Sequence, residues 1–310
     1  MTPKSKLVIG TRGSPLALAQ AHMVQAGVAQ HLGWPVEAIE VAIFKTSGDR
    51  IQDKPLSEFG GKGLFTKELD EALLDGRIDL AVHSMKDVPT RLPGEMVLAA
   101  ILPREDVRDR LIAPSAKSVD DLPHGARIGT SSLRRGAQMK LLRPDFVIVP
   151  FRGNVQTRLD KLARGEADAT LLAAAGLRRL DMDHVGAPIP TEQMLPAPAQ
   201  AAIGVTVRTE DAFTRNAVGA LNHADTALAV AAERAFLARL DGSCRTPIAA
   251  LATLEADGAV LLRGQILSPD GAHHVEGQSR GRPEEAAAMA TDLAEALIGQ
   301  GGPAIKALFG

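Results

Sequence analysis

The sequence predicts an α/β protein: two similar α/β domains joined by two crossings, then a smaller α+β domain. Three observations carry that expectation. Short apolar runs alternate with helical patterns through about residue 208, the grammar of βα units. Pieces of the first half return in the second. Ile9-Gly10-Thr11 returns as Ile128-Gly129-Thr130, and Leu74-Asp75-Gly76-Arg77-Ile78-Asp79 as Ala163-Arg164-Gly165-Glu166-Ala167-Asp168. After Ala224 the pattern changes to one alanine-rich helix and three strand-like runs. A chain of 310 residues is long enough for two or three domains. The boundaries expected are 1–102 with 199–221 for the first domain, 103–198 for the second and 222–310 for the third.

Lys6–Ile9 reads as a short buried strand, and Gly10-Thr11-Arg12-Gly13-Ser14-Pro15 turns into a helix reaching about His31. Ser14 has N-cap chemistry and Pro15 suits the first helical position. A helix N-terminus beyond a strand presents free amides to an anion, and Arg12 adds a charge. An ordinary capped helix with a solvated arginine has the same sequence. Val36–Phe44 alternates as a second strand. Lys45–Gly63 is long, polar and aperiodic, the pattern of a lid carrying Lys62. It lacks the spacing of a P-loop. Leu64–Leu74 is an amphipathic helix closed by Gly76.

Ile78–Val82 is a strand that runs into His83-Ser84-Met85-Lys86-Asp87-Val88-Pro89. Asp87 falls just past the carboxyl end of that strand, where open α/β sheets bind ligands. A carboxylate there can stabilise a developing cation or move a proton. It can equally bond its own backbone in a turn ahead of Pro89.

Met96–Leu102 is another strand, and Pro103-Arg104-Glu105-Asp106 reads as the first crossing. Arg127–Gly129 and Phe146–Val149 are strands of the second domain. Thr130-Ser131-Ser132-Leu133-Arg134-Arg135 opens one helix; Arg152-Gly153-Asn154 opens the next, which carries Arg158 and ends at Gly165. Asp168–Leu172 is a strand ending near Gly176-Leu177-Arg178-Arg179. Met194–Gly204, with Gln200, leads into Ile203–Arg208, a strand returning to the first domain. Ala224–Leu240 is helical. Pro247–Glu255, Ala259–Leu267 and His273–Arg280 form an antiparallel meander turned at Gly258 and Pro269-Asp270-Gly271. Pro283 starts a helix to about Ile298, and a short one follows Pro303.

Between that helix and the meander lies Asp241-Gly242-Ser243-Cys244-Arg245-Thr246-Pro247, with the only cysteine of the chain. One thiol makes neither an internal disulfide nor a zinc site. Gly242 and Pro247 mark a tight loop, and Arg245 favours the thiolate. A small buried hydrophobe fits Cys244 as well.

Net charge is −2, from 35 basic and 37 acidic side chains, which argues against a general nucleic-acid binder. Aromatics are 3% and tyrosine is absent, so a base-stacking platform is not expected. No apolar run is long enough to span a bilayer, and no signal-peptide core follows Met1. One cysteine is the usage of the cytosol. The eight histidines show no metal-ligand spacing, so no metal is expected.

Arg12, Arg134, Arg135, Arg152, Arg158 and Arg179 all fall at helix starts or strand ends of the two α/β halves. Ser14, Ser131 and Ser132 add hydroxyls beside helix amides. Arginine matches planar carboxylates bidentately. Any one of the six reads alone as a solvated charge. Six at matching topological positions, in a chain of negative net charge, imply a ligand with several carboxylates or phosphates.

These residues carry a resemblance. Thr11-Arg12-Gly13-Ser14-Pro15-Leu16-Ala17-Leu18, Gly61-Lys62-Gly63-Leu64-Phe65, His83-Ser84-Met85-Lys86-Asp87-Val88-Pro89, Gly129-Thr130-Ser131-Ser132-Leu133-Arg134-Arg135, Arg152-Gly153-Asn154-Val155 and Gly242-Ser243-Cys244 follow one another as in the porphobilinogen deaminase (hydroxymethylbilane synthase) family. The likeness spans nearly the whole chain; after about Glu255 it is one of general pattern. Ala199-Gln200-Ala201-Ala202 departs from it, since the family more usually has glycines around the glutamine.

The resemblance implies a transferase that joins four porphobilinogen units head to tail into hydroxymethylbilane, releasing ammonia at each unit. It implies a dipyrromethane cofactor held by a thioether to Cys244, with growth on its free pyrrole. Asp87 would stabilise positive charge as ammonia leaves. Arg12, Arg134, Arg135, Arg152, Arg158 and Arg179, with Ser14, Ser131, Ser132 and Lys86, would bind acetate and propionate groups. Lys62 would lie on a loop over the cleft, and Gln200 would stand behind the site or on its lid. The implied fold is two periplasmic-binding-protein-like α/β domains with a double crossover, plus the smaller α+β domain. The implied protein is a cytoplasmic monomer that meets a small-molecule substrate and neither nucleic acid nor membrane.

Two readings of other classes stay open on the residues alone. One is a two-lobed anion-binding protein without chemistry, which needs an unmodified Cys244. The other is a cysteine-nucleophile acyl transferase, which needs a histidine base such as His223 or His273-His274. Alkylation separates them from the resemblance: a catalytic thiol must be free, whereas a cofactor-bearing one is already blocked.

Overall fold

The computed structural model describes residues 4–50, 63–241 and 246–309. In chain order the first stretch forms β1 (Leu7–Arg12), α1 (Pro15–Leu32), β2 (Ile39–Phe44), α2 (Ser47–Arg50), α3 (Lys67–Leu74), β3 (Leu80–Ser84) and β4 (Met96–Ile101). The next forms β5 (Asp109–Ile112), β6 (Arg127–Gly129), α4 (Leu133–Leu142), β7 (Val147–Val149), α5 (Val155–Ala163), β8 (Ala169–Ala173), α6 (Ala174–Arg178) and β9 (Ala187–Pro188). Then follow β10 (Ile203–Arg208), α7 (Ala212–Gly219) and α8 (Ala224–Arg239). The chain ends in β11 (Ile248–Leu254), β12 (Val260–Leu267), β13 (His274–Gly281), α9 (Ala286–Gln300) and α10 (Gly302–Lys306).

Two compact units emerge. One takes the described residues up to 50, 63–105 and 201–227; the other takes 106–200 and those from 228 on. The first holds a five-stranded sheet ordered β2-β1-β3-β10-β4, with β1, β2 and β3 parallel and β10 antiparallel to both neighbours. The second holds one ordered β7-β6-β8-β5-β9, with β6, β7 and β8 parallel and β5 antiparallel to β8. Both sheets run second, first, third, then an antiparallel strand, then an edge. That antiparallel strand is in each case the first strand after the chain changes unit: β5 in the second sheet, β10 in the first. The short sequence repeat thus marks a true repeat of topology.

The sheet of the first unit packs Leu7, Ile9, Leu80, Val82, Val205 and Val207 against α1 and α7, all buried. Alternation does not show in these strands because both faces are covered. The second unit also contains the meander β11-β12-β13, with α8 and α9 on one face over a core around Phe236, Leu262, Ile266 and Leu293. Its far turn rests on α4. A Cβ on Gly271, whose φ is +71°, would lie 2.5 Å from the Ala137 carbonyl oxygen, so only glycine lets the hairpin sit there.

Four expectations need correction. Val36–Ala38 is a 3₁₀ turn and the strand starts at Ile39, because Pro35 leads the chain in as a turn. The helix expected from Leu64 starts at Lys67, after a turn closed by Thr66 N–H donating to the Gly63 carbonyl. The stretch after Lys45 is not uniformly irregular: Ser47–Arg50 is a helical turn held by Gly48 N–H on the Leu64 carbonyl. Finally, β1 continues through Arg12, which is on the strand and not in the turn after it.

Candidate functional site

In the first unit the site begins where β3 stops. The backbone turns through Met85–Asp87 as a single 3₁₀ turn. Met85 is buried against β10, and a Cβ on Gly204 would fall 2.0 Å from its sulfur, so β10 needs glycine at that contact. Met85 N–H donates to the Ala202 carbonyl at 3.0 Å and Val88 N–H to the Met85 carbonyl at 3.2 Å. The turn is therefore fixed by backbone and packing, independently of Asp87. It presents the Asp87 side chain 26% exposed, 4.0 Å from Arg12 Nη1, with Lys86 exposed beside it.

Arg12 comes to Asp87 from the end of β1. Its guanidinium lies over the Phe65 ring, 4.3 Å from the centroid, and donates to Asp49 through Nε at 3.2 Å and Nη2 at 2.5 Å. Asp49 also accepts from the Thr46 hydroxyl at 2.7 Å. Burial would raise the Asp49 carboxyl; the Arg12 and Thr46 bonds outweigh it and hold the group below its usual range. Ser14 caps α1 by accepting from Ala17 N–H at 3.3 Å, which leaves its own proton for an acceptor oxygen.

Beneath this cluster His83 is buried, with Nε2 3.0 Å from the Thr206 hydroxyl. Burial, and then the Arg12 charge, push the imidazole down from 6.5 to about 4. The sign follows. Between those values the unfolded chain binds the proton and the native chain does not, so stability falls as pH falls through that window. The full loss is about 3 kcal/mol. Urea unfolding at pH 7 and pH 4.5 should show this loss in the wild type and a flatter response in His83→Gln.

In the second unit the arginines form two groups. Arg134 and Arg135 open α4 behind the N-cap Ser132, whose hydroxyl accepts from Arg135 N–H at 3.4 Å. Both side chains turn inward, only 6% and 7% exposed, and each donates through Nη2 to one oxygen of the fully buried Asp109 at 2.7 Å. Their Nη1 groups donate to the Leu195 and Leu171 carbonyls at 2.7 and 3.0 Å. Burial alone would raise Asp109; two guanidinium charges and their bonds reverse that and hold it well below the usual carboxylate range. Gln200 is also buried and donates to Asp109 at 3.0 Å and to the Val107 carbonyl at 2.8 Å.

The other group is Arg152, Arg158 and the side of the pair nearest them. Arg152 follows β7, and Gly153 at φ +118° turns the chain so that Asn154 caps α5. Arg158, half-buried one turn along, donates from Nε to the Gly153 carbonyl at 3.0 Å. Burial, then the like charges of Arg135 and Arg152, push it down to about 10. That is a cation-rich spot whose charges weaken one another, the condition an incoming carboxylate relieves. Ser131 donates to the Phe151 carbonyl at 3.0 Å beside it. Arg179 is half-buried just past α6.

The structure thus gathers Arg12, Ser14, Lys86 and Asp87 in one unit, and Ser131, Ser132, Arg134, Arg135, Arg152 and Arg158 in the other. Lys62 and Cys244 lie outside the described residues. Asp49, Phe65 and Asp109 escaped the sequence reading. Asp109 had a signal in Arg108-Asp109-Arg110-Leu111-Ile112, where an acid opens an apolar run. Among the described residues no group of three or more His, Cys, Asp or Glu could hold a metal ion. None of the described helices is long and apolar enough to cross a membrane.

A family model described as "Porphobilinogen deaminase, dipyromethane cofactor binding domain" matches residues 7–216, and "Porphobilinogen deaminase, C-terminal domain" matches 227–299. The chain is 52% identical over 299 residues to the porphobilinogen deaminase of Paracoccus denitrificans, covering 96% of this chain and 95% of the relative. It is 51% identical over 311 residues to that of Sphingopyxis alaskensis, covering 99% and 98%. Among solved structures, a TRAP periplasmic solute binding protein from Desulfovibrio salexigens aligns with TM-score 0.43 and 10% identity over 71% of this chain and 73% of that one.

Proposed function

The chain belongs to the porphobilinogen deaminase family, and from that premise we propose which of its residues carry the reaction. It is a transferase that condenses four porphobilinogen units into hydroxymethylbilane with loss of ammonia, in tetrapyrrole biosynthesis, and it uses a dipyrromethane cofactor. When bound, that cofactor supplies the free pyrrole position on which the product grows. A dipyrromethane of porphobilinogen origin carries several carboxylates. The Arg152–Arg158 spot fits it, since burial and then the like charges of Arg135 and Arg152 push Arg158 down to about 10, a crowding of cations that a carboxylate relieves.

In this reading Cys244 holds the cofactor through sulfur. Arg152, Arg158 and Arg179, with Arg134 and Arg135, whose buried Nε donors lack a hydrogen-bond partner among the described residues, and the hydroxyls of Ser131 and Ser132, take acetate and propionate oxygens. Arg12, Ser14 and Lys86 do the same in the first unit, and Lys62 adds a further cation. Asp87 faces the pyrrole nitrogen of the reacting unit, where positive charge develops as ammonia leaves. A fixed carboxylate is most effective there because its turn needs no reorganisation during reaction. Gln200 acts from behind, through Asp109. The independent apolar core under the meander supports 222–310 as a third domain beside 1–102 with 199–221 and 103–198. The protein works as a cytoplasmic monomer on a small-molecule substrate, with neither nucleic acid nor membrane as partner.

The observation that carries this reading is a rigid Asp87 turn in one unit, together with arginines at strand ends and helix starts of both topologically repeated sheets. The test is product stoichiometry. Incubation with porphobilinogen should release about four ammonia molecules per hydroxymethylbilane, as the family reaction requires. Binding of porphobilinogen with no ammonia release would favour an anion-binding protein instead.

A further inference from the structure

Glu233 is a buried acid that the reaction as described does not use. It lies on α8, the helix that leads in sequence toward Cys244, and its side chain is sealed from solvent. Its carboxylate accepts from two backbone N–H groups in different segments. Oε2 takes Ala199 N–H at 2.5 Å and Oε1 takes Ala252 N–H, on β11, at 2.8 Å.

Ala199 is an unusual residue to hold. Its φ is +60° and that of Ala201 is +73°, both left-handed, with Gln200 between them. A Cβ disfavours that region, where glycine is at ease. Beyond its own Gln200 N–H bond to the Ala197 carbonyl at 2.9 Å, the turn is strained and takes support from outside bonds. Glu233 supplies one at its first residue. At its centre Gln200 reaches Asp109 and the Val107 carbonyl. Asp109 in turn fixes both Arg134 and Arg135. Buried hydrogen bonds and ion pairs, joined through the backbone of the 199–200 turn, thus run from α8 to the arginine pair.

We propose that Glu233 is a positioning residue for Arg134 and Arg135, acting through the Ala199-Gln200-Ala201 turn and Asp109. The helix that leads to the cofactor-bearing loop thereby sets the placement of two cations that serve cofactor and substrate carboxylates. This rests on the carboxylate-binding role given to the pair above. A chain that kept glycine at 199 and 201 would hold the turn without help; this chain, with alanine at both, depends on the carboxylate.

The test is steady-state kinetics with porphobilinogen on the holoenzyme. Glu233→Gln keeps the shape and loses one of the two acceptors. Its KM should rise by up to about a hundredfold, the range for a displaced positioning group, with kcat changed much less. A purely structural role would lower the active fraction and leave KM alone. Ala199→Gly in the Glu233→Gln background should bring KM back toward wild type, because glycine takes the left-handed turn unaided; additive effects would contradict the relay. If Glu233→Gln fails to fold, Gln200→Ala breaks the same relay one step on and should raise KM alike. Arg135→Ala is measured in parallel. A KM raised there but unchanged in Glu233→Gln or Gln200→Ala overturns the relay alone. A KM unchanged in Arg135→Ala overturns the carboxylate role, and with it the purpose of the relay.

Discussion

Asp87→Ala is expected to lower turnover of porphobilinogen by about a hundredfold or more, on the order of 3 kcal/mol of barrier, the size of effect seen when one preorganised electrostatic group is removed. The structure says why the loss should be chemical and not a folding defect. The turn is held by Met85 N–H on the Ala202 carbonyl and by Met85 packed against Gly204, and neither contact involves the aspartate side chain. Removing the carboxylate therefore leaves the scaffold in place. It also leaves Arg12 paired with Asp49 and stacked on Phe65, so the cation does not wander. Emission from Trp34, the single tryptophan, stacked on Phe213 against the core of the same unit, checks the fold of each variant. Asp87→Asn, with the shape and without the charge, should fall nearly as far as alanine. Near-normal turnover in Asp87→Ala would remove the residue from the mechanism.

Asp109→Ala carries the largest expected effect on stability. The carboxylate is the shared partner of two buried guanidinium groups. Its removal leaves two like charges in the interior with their Nη2 donors unmet, and breaking a buried pair by deleting one partner costs roughly 3–5 kcal/mol. Two cations lose their counter-charge here, so the upper end of that range is expected. Arg134→Met or Arg135→Met singly should cost less, because each leaves Asp109 one arginine and Gln200. Chemical denaturation of the three variants checks the ordering. Equal, small losses in all three would mean that solvent enters the site freely and the pair is not truly buried.

The fold class was legible because βα grammar is local. Strand, turn, capped helix and the next strand each leave a mark, as with Ser14-Pro15 before α1 and Gly258 and Gly271 in the meander. β5 left a much fainter mark, an acid ahead of a two-residue apolar run. It is four residues long, opens with two charged residues, and its Asp109 is satisfied by arginines about 25 residues away in sequence. No periodicity announces a buried acid whose partners lie on another element. The same holds for Asp49, which lies within a helical turn too short to show a period.

The arginines were visible as a set, through their positions at helix starts and strand ends. What the sequence could not give was direction. Arg12 ends β1 and lies beside Asp87, whereas Arg134 and Arg135, in the first turn of α4, point into the protein toward Asp109, and Arg158 meets like charges. Direction depends on which acid lies nearby in three dimensions. The alanines at 199 and 201 stood out in sequence as a departure from the family's glycines; their left-handed backbone gives that departure a physical consequence.

The central claim is that Cys244 carries a covalent dipyrromethane on which the product is built. The most direct measurement is the intact mass of freshly purified protein beside that of Cys244→Ser. The account predicts a wild-type mass above the sequence value by one dipyrrole unit, a thiol that resists alkylation, and neither feature in the variant. A wild-type mass equal to the bare sequence, with a titratable thiol and no adduct after porphobilinogen is added, would contradict it.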